Sequence, residues 1–217
     1  MCYGRNNIEI LSYGEDALTL WALSSPTRLK MILANDDNSE LGECKIFYRP
    51  SFGRGGRGKE YNFGEFDFII VSKNNVYLGE SKWYNSPEYA KSQNQITLKE
   101  PQDERFTIFN QYIKEWKTIS KKEKRDYGFK ECWDEFKENH CSNNIKKKVP
   151  DSKKTLAHNL WGVLKEIISQ EVKPVTLFFS KPDSNKADKI QGSGVIVISA
   201  PSLCPKKEPY FSLLGNL

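Results

Sequence analysis

Gly64-Glu65-Phe66-Asp67-Phe68-Ile69-Ile70-Val71-Ser72-Lys73-Asn74-Asn75-Val76-Tyr77-Leu78-Gly79-Glu80-Ser81-Lys82 is the most informative run of the chain. Phe66 to Val71 is an apolar strand, and Val76 to Leu78 begins a second. Ser72-Lys73-Asn74-Asn75 between them carries turn chemistry, because asparagine tolerates the left-handed backbone that tight hairpins need. A hairpin closing symmetrically around Lys73 and Asn74 sets Asp67 opposite Glu80 and Glu65 opposite Lys82. Directly opposed residues have Cβ atoms about 5 Å apart. Strand alternation puts Glu80 and Lys82 on one face. Asp67, Glu80 and Lys82 are therefore expected on one small patch. A register shift of two residues keeps that face, and a shift of one destroys it.

Two carboxylates and an ammonium beside apolar strands are expensive to desolvate. Facing carboxylates also repel each other. A divalent cation relieves both problems, and carboxylate oxygens suit Mg²⁺, which readily takes phosphate oxygens as further ligands. Lys82 then orients or deprotonates a nucleophile, or offsets developing negative charge. The plainer alternative is a structural cross-strand ion pair between Glu65 and Lys82. The acid-x-Lys pattern alone decides nothing, since it recurs at Glu43, Glu115, Glu135, Asp151 and Glu171. What sets Glu80-Ser81-Lys82 apart is its place at the end of an apolar strand.

Outward from the hairpin, Gly14 to Leu23 has helical spacing and Ser25-Pro26 ends it. A short segment follows around Leu29 to Ala34, then Asn35-Asp36-Asp37-Asn38 as a loop. Cys44 to Tyr48 reads as a strand, and the glycine-rich Ser51 to Lys59 as a loop. Glu104 to Trp116 is amphipathic, with Phe106, Phe109, Ile113 and Trp116 in one stripe. Ser120 to His140 is charged and helical, and Asn143 to Lys154 is a lysine-rich connector. Thr155 to Glu171 reads as a helix. Strands follow at Val175 to Phe179 and Val195 to Ser199, with Asp183 to Lys189 between them and a packing strap at the end. This order predicts an α/β fold, a mixed central sheet flanked by helices, in a single domain over 1–217 with a charged helical insertion at about 101–154. A helix feeding an apolar strand is the crossover of a parallel pair.

The 217 residues suit one sizeable core, and the absence of a long apolar run excludes a membrane span. No signal-peptide pattern opens the chain, so the expectation is a soluble, cytoplasmic protein. Five cysteines without a C-x-x-C pair argue against a zinc ribbon. Cys132 with His140-Cys141 is a conceivable metal site, but reduced, structural thiols are the simpler reading. Two histidines exclude a His-rich cage and weaken a Ser-His-Asp triad. The net charge of +5 proves no partner. Its distribution matters more: Arg49, Arg54, Arg57 and Lys59 cluster among glycines, and further runs lie at Lys121 to Arg125 and Lys146 to Lys154.

Gly64-Glu65-Phe66-Asp67 followed by Gly79-Glu80-Ser81-Lys82 resembles the PD-(D/E)XK nuclease superfamily, which has the restriction-endonuclease-like fold. The resemblance extends over roughly residues 12 to 200, but its specific part is residues 64 to 82. It implies that Asp67 and Glu80 bind metal with the backbone carbonyl of Ser81, and that Lys82 is the catalytic lysine. It also implies a glutamate on the first helix, which Glu15 matches, although an acid there also suits a helix N-terminus. Gln111 is the candidate for the glutamine that some members carry on the helix after the motif. Phe66 stands where the family name has proline.

The resemblance implies an endonuclease using Mg²⁺, or Mn²⁺ in its place, and cutting DNA in restriction or repair. It leaves a homodimer or a partner subunit open. Arg49, Arg54, Arg57 and Lys59 would contact DNA phosphates, with Tyr48 or Phe52 stacking on a base. The alternatives are a nuclease-like binding or scaffolding module without catalysis, and a hydrolase acting on nucleotides.

Overall fold

The computed structural model describes residues 8–33, 39–52, 64–90, 95–119, 128–180, 190, 194–199 and 210–215. A mixed sheet organises them. Its five strands are β2 (Lys45–Tyr48), β3 (Phe68–Val71), β4 (Asn75–Trp83), β7 (Glu171–Ser180) and β8 (Val195–Ser199), hydrogen-bonded in that order and flanked by helices. This is the α/β architecture that the order of apolar runs predicts. The pairs β2–β3 and β3–β4 are antiparallel, and β7–β8 is parallel. Glu171 N–H donates to Asn74 O at one end of β4 and Tyr84 N–H to Phe179 O at the other, so β4 and β7 run the same way. The helices between them make the expected crossover.

The chain divides into two compact units. The described residues of one fall within Asp36–Glu80 and Leu98–Val175. Its hairpin has the expected register: Phe68, Ile69, Ile70 and Val71 face Gly79, Leu78, Tyr77 and Val76. The turn closes differently from expectation. Neither Lys73 nor Asn74 has positive φ; among the described non-glycine residues only Arg49 does. Ser72 does the work instead. Its N–H and its hydroxyl both donate to Asn75 O, and its oxygen accepts Asn75 N–H.

One face of this hairpin, Ile69, Val71, Val76 and Leu78, joins a core with α3 (Glu100–Trp116), α4 (Phe129–Glu135) and α6 (Thr155–Leu164). Aromatic rings dominate it: Phe52 stacks on Phe109 at 4.9 Å, and Trp116 meets Phe136 edge-on at 5.2 Å. Phe52 is fully buried there, so it is core and not a base-stacking residue. Residues of the 101–154 segment, including Trp116, Trp133, Ile145 and Val149, sit in the same core as β3 and β4. A short helix, α5 (Asn143–Lys146), lies inside the lysine-rich connector. Trp133 Nε1 donates to Pro150 O at 2.8 Å and Tyr112 OH to Lys148 O, which ties that connector down.

α6 ends at Leu164, not near Glu171. The backbone tightens there, with Glu166 N–H to Val163 O and Ile167 N–H to Leu164 O. Gln170 then folds back: its Oε1 accepts the N–H groups of Ile168 and Ser169, and its amide donates to Ser72 O. Satisfied this way, the chain enters β7 and leaves Ile168 half exposed.

The described residues of the other unit fall within Met1–Asn35, Ser81–Thr97 and Thr176–Leu217. β1 (Ile8–Tyr13) pairs antiparallel with β9 (Tyr210–Gly215), so the terminal strap is a strand. α1 (Gly14–Leu23) has the expected bounds, and α2 (Pro26–Leu33) begins at the proline, whose fixed φ suits a first helical position. β5 (Tyr89–Ala90) and β6 (Gln95–Ile96) form a small hairpin. Among the described residues no helix is long and apolar enough to cross a membrane. The expected loops at 35–38 and 183–189, Arg54, Arg57 and Lys59, and the basic run 121–125 lie outside the described residues.

Candidate active site

β4 carries three buried polar residues in a row, Glu80, Ser81 and Lys82, after the apolar Val76, Tyr77 and Leu78. Gly79 precedes them because the ring of Phe68, its cross-strand partner, fills the space where a β-carbon would stand. Glu80 and Lys82 are alternate residues of this strand and so leave it on the same side.

Beyond the Phe68–Gly79 pair the ladder slips. Asp67 N–H also donates to Gly79 O, at 3.1 Å, so two residues address one. This is a β-bulge. Its mark on the sequence is that Phe66 joins the core face of Ile69 and Val71, which uninterrupted alternation forbids. Asp67 is the half-buried residue at the bulge, and its carbonyl accepts Arg49 N–H at 3.0 Å. The expected facing of Asp67 with Glu80 gives way to facing with Gly79.

Glu80 is held from α3. Arg105 Nη1 donates to Glu80 Oε1, and Gln102 Nε2 donates to Oε2 at 3.0 Å. Gln102 Oε1 accepts Lys99 N–H at the start of the helix, which fixes the amide's orientation. The Glu80 side chain is only 3% exposed and that of Arg105 15%, so the pair is desolvated. Removing one partner of such a pair costs about 3–5 kcal/mol. Neither residue was singled out in the sequence. The signal was present: Gln102 and Arg105 stand four residues before Phe106 and Phe109 and extend the same stripe.

Lys82 is held from α1. Its Nζ donates to Ser81 O at 2.8 Å and lies 3.8 Å from Glu15 Oε2. Ser86 donates its hydroxyl to the other Glu15 oxygen and accepts Trp83 N–H. Thr19 Oγ1 donates to Ser81 Oγ at 2.7 Å. Glu15 therefore joins Lys82, as its place on the first helix suggested. Ser86 had no distinguishing mark in the sequence.

Other candidates lie elsewhere. Gln111 donates to Glu115, a buried carboxyl that also accepts from Ser142. Arg49 is ion-paired with Glu65. Tyr48 is partly exposed on β2. Cys132 and Cys141 are free thiols, and His140 Nδ1 bonds Thr118 Oγ1.

The donor chemistry of Asp67, Glu80 and the Ser81 carbonyl suits Mg²⁺. The arrangement does not. Both Glu80 oxygens carry donors, the Ser81 carbonyl carries the Lys82 ammonium, and among the described residues no three His, Cys, Asp or Glu converge to hold an ion. Compared with known proteins, the chain matches no family model, no curated protein and no solved structure.

Proposed function

We propose that the chain is an endonuclease that hydrolyses DNA phosphodiester bonds, with a restriction-endonuclease-like core and a requirement for Mg²⁺ or Mn²⁺. The observation that carries this reading is the burial of Glu80 and Lys82 at alternate positions of one apolar strand, each held by its own helix residues. A strand interior accepts an acid and an amine at that desolvation cost only for a structural or chemical return. Asp67 at a bulge adds support, since bulges re-aim side chains beside active sites. In this reading Asp67 and Glu80 are the acids, helped by the Ser81 carbonyl. Lys82, oriented by Glu15, offsets charge on the phosphate or activates the nucleophile. Supercoiled plasmid with Mg²⁺ or Mn²⁺ is the test. The chain should nick it, and Asp67→Ala and Lys82→Ala should bind DNA without cutting. Full cleavage by either purified variant overturns the assignment.

A second reading has an observation of its own. Arg105 already neutralises Glu80, so a nuclease-like DNA-binding module without catalysis is electrostatically complete as it stands. Retained DNA binding with no cutting under either metal favours it.

A further inference from the structure

Arg105 is seated with unusual care for a surface-helix arginine. One nitrogen, Nη1, donates both to Glu80 Oε1 and to the carbonyl of Glu65, two residues before Asp67. Its guanidinium lies 5.6 Å from the centre of the Phe66 ring. A β-carbon on Gly64 would stand 3.1 Å from both Nε and Nη2, and Gly64 has φ +101°, so glycine supplies both the room and the backbone for this seat.

We propose that Arg105 is a resident counter-ion that a divalent cation must displace from Glu80. The proposal rests on the reading that Glu80 is a metal ligand. A carboxylate has about four lone-pair positions, so Gln102 can stay on Oε2 while Oε1 changes partner. A guanidinium and a divalent ion on the same oxygen repel, and the low exposure of both side chains leaves that repulsion poorly screened. Arg105 thus keeps Glu80 neutralised without metal and weakens metal binding by competing for it. The Glu65 carbonyl and the Phe66 ring form the other half of its seat.

The test is Mn²⁺ titration by calorimetry on the full chain. Arg105→Met should bind Mn²⁺ at least about tenfold more tightly than the parent, Arg105→Lys should stay near the parent, and adding Glu80→Gln to Arg105→Met should abolish the gain. Equal or weaker binding by folded Arg105→Met, with the parent binding normally, overturns the competition and leaves the metal reading standing. No binding by either protein, or a gain that survives Glu80→Gln, overturns both. Should Arg105→Met fail to fold, the parent answers alone. Its Arg105 Nε–H resonance, assigned by its loss in Arg105→Lys, should move on saturation with Mg²⁺, and a resonance that stays in place refutes displacement.

Discussion

The ring of Phe68 covers the α-carbon of Gly79 so closely that no β-carbon fits between them. Gly79 is the last regular pair of the hairpin, the acceptor for the Asp67 bulge and the residue before Glu80. Gly79→Ala should therefore push Phe68 out of place and destabilise the fold by about 1–3 kcal/mol, the usual cost of overpacking. Urea unfolding measures it. Gly79→Ala with Phe68→Leu should recover part of the loss, and an unchanged midpoint for Gly79→Ala would remove the glycine's structural role.

Phe52 and Tyr48 lie on the same stretch of sequence and have opposite fates. Phe52→Ala should cost about 3–5 kcal/mol, because it empties the stack on Phe109. Tyr48→Ala should cost under about 1 kcal/mol, since that ring is partly exposed on β2. If Tyr48 stacks on a base, its loss weakens oligonucleotide binding by about 1–3 kcal/mol. Unfolding midpoints and fluorescence anisotropy with a labelled oligonucleotide separate the two effects.

That contrast shows what the sequence could reveal. Local signals were readable: the bounds of α1 and β8, the hairpin with its register, and the pairing of Glu15 with Lys82. What escaped depended on distant partners. β9 needs β1 almost two hundred residues away, and its short apolar run announces neither. The end of α6 is set by Gln170 reaching across to Ser72. The bulge at Asp67 leaves only a subtle trace, one broken step of alternation at Phe66. Arg105 looked like one more charge on a polar helix until the fold brought Glu80 to it.

Burial, and then the neighbouring Glu115 carboxyl, push the Cys141 thiol well above the usual cysteine range. An unfolded thiol ionises near 8.5. Above about that pH the unfolded chain gives up a proton that the folded chain keeps, so this group makes stability fall as pH rises. Below that pH both states hold the proton and the effect vanishes. Cys141→Ala should flatten the decline in urea midpoint between about pH 8 and pH 10, while Tyr112, which burial raises in the same way, still acts at higher pH. The parent thiol should also resist alkylation at pH 8 until the protein unfolds. Identical pH slopes for the parent and Cys141→Ala would contradict this.

Lys82 and Ser86 give the sharpest separation of structure from chemistry. Lys82→Met keeps most of the side chain's length and apolar stem but removes the ammonium; Glu15 still has the Ser86 hydroxyl as a partner. The variant should fold, and in the proposed nuclease its single-turnover cleavage should fall by at least about a hundredfold, the scale for losing a positioned acid–base or electrostatic group. Ser86→Ala leaves the ammonium in place and loosens only Glu15. A lost hydrogen bond of about 1–1.5 kcal/mol corresponds to roughly a tenfold slower rate. Because the hydroxyl holds the Glu15 carboxylate, its removal should also shift the acid limb of the pH–rate profile upward. A rate loss in Ser86→Ala as large as that of Lys82→Met, with no change in the profile, would make Ser86 part of the fold and not a positioning residue for Lys82.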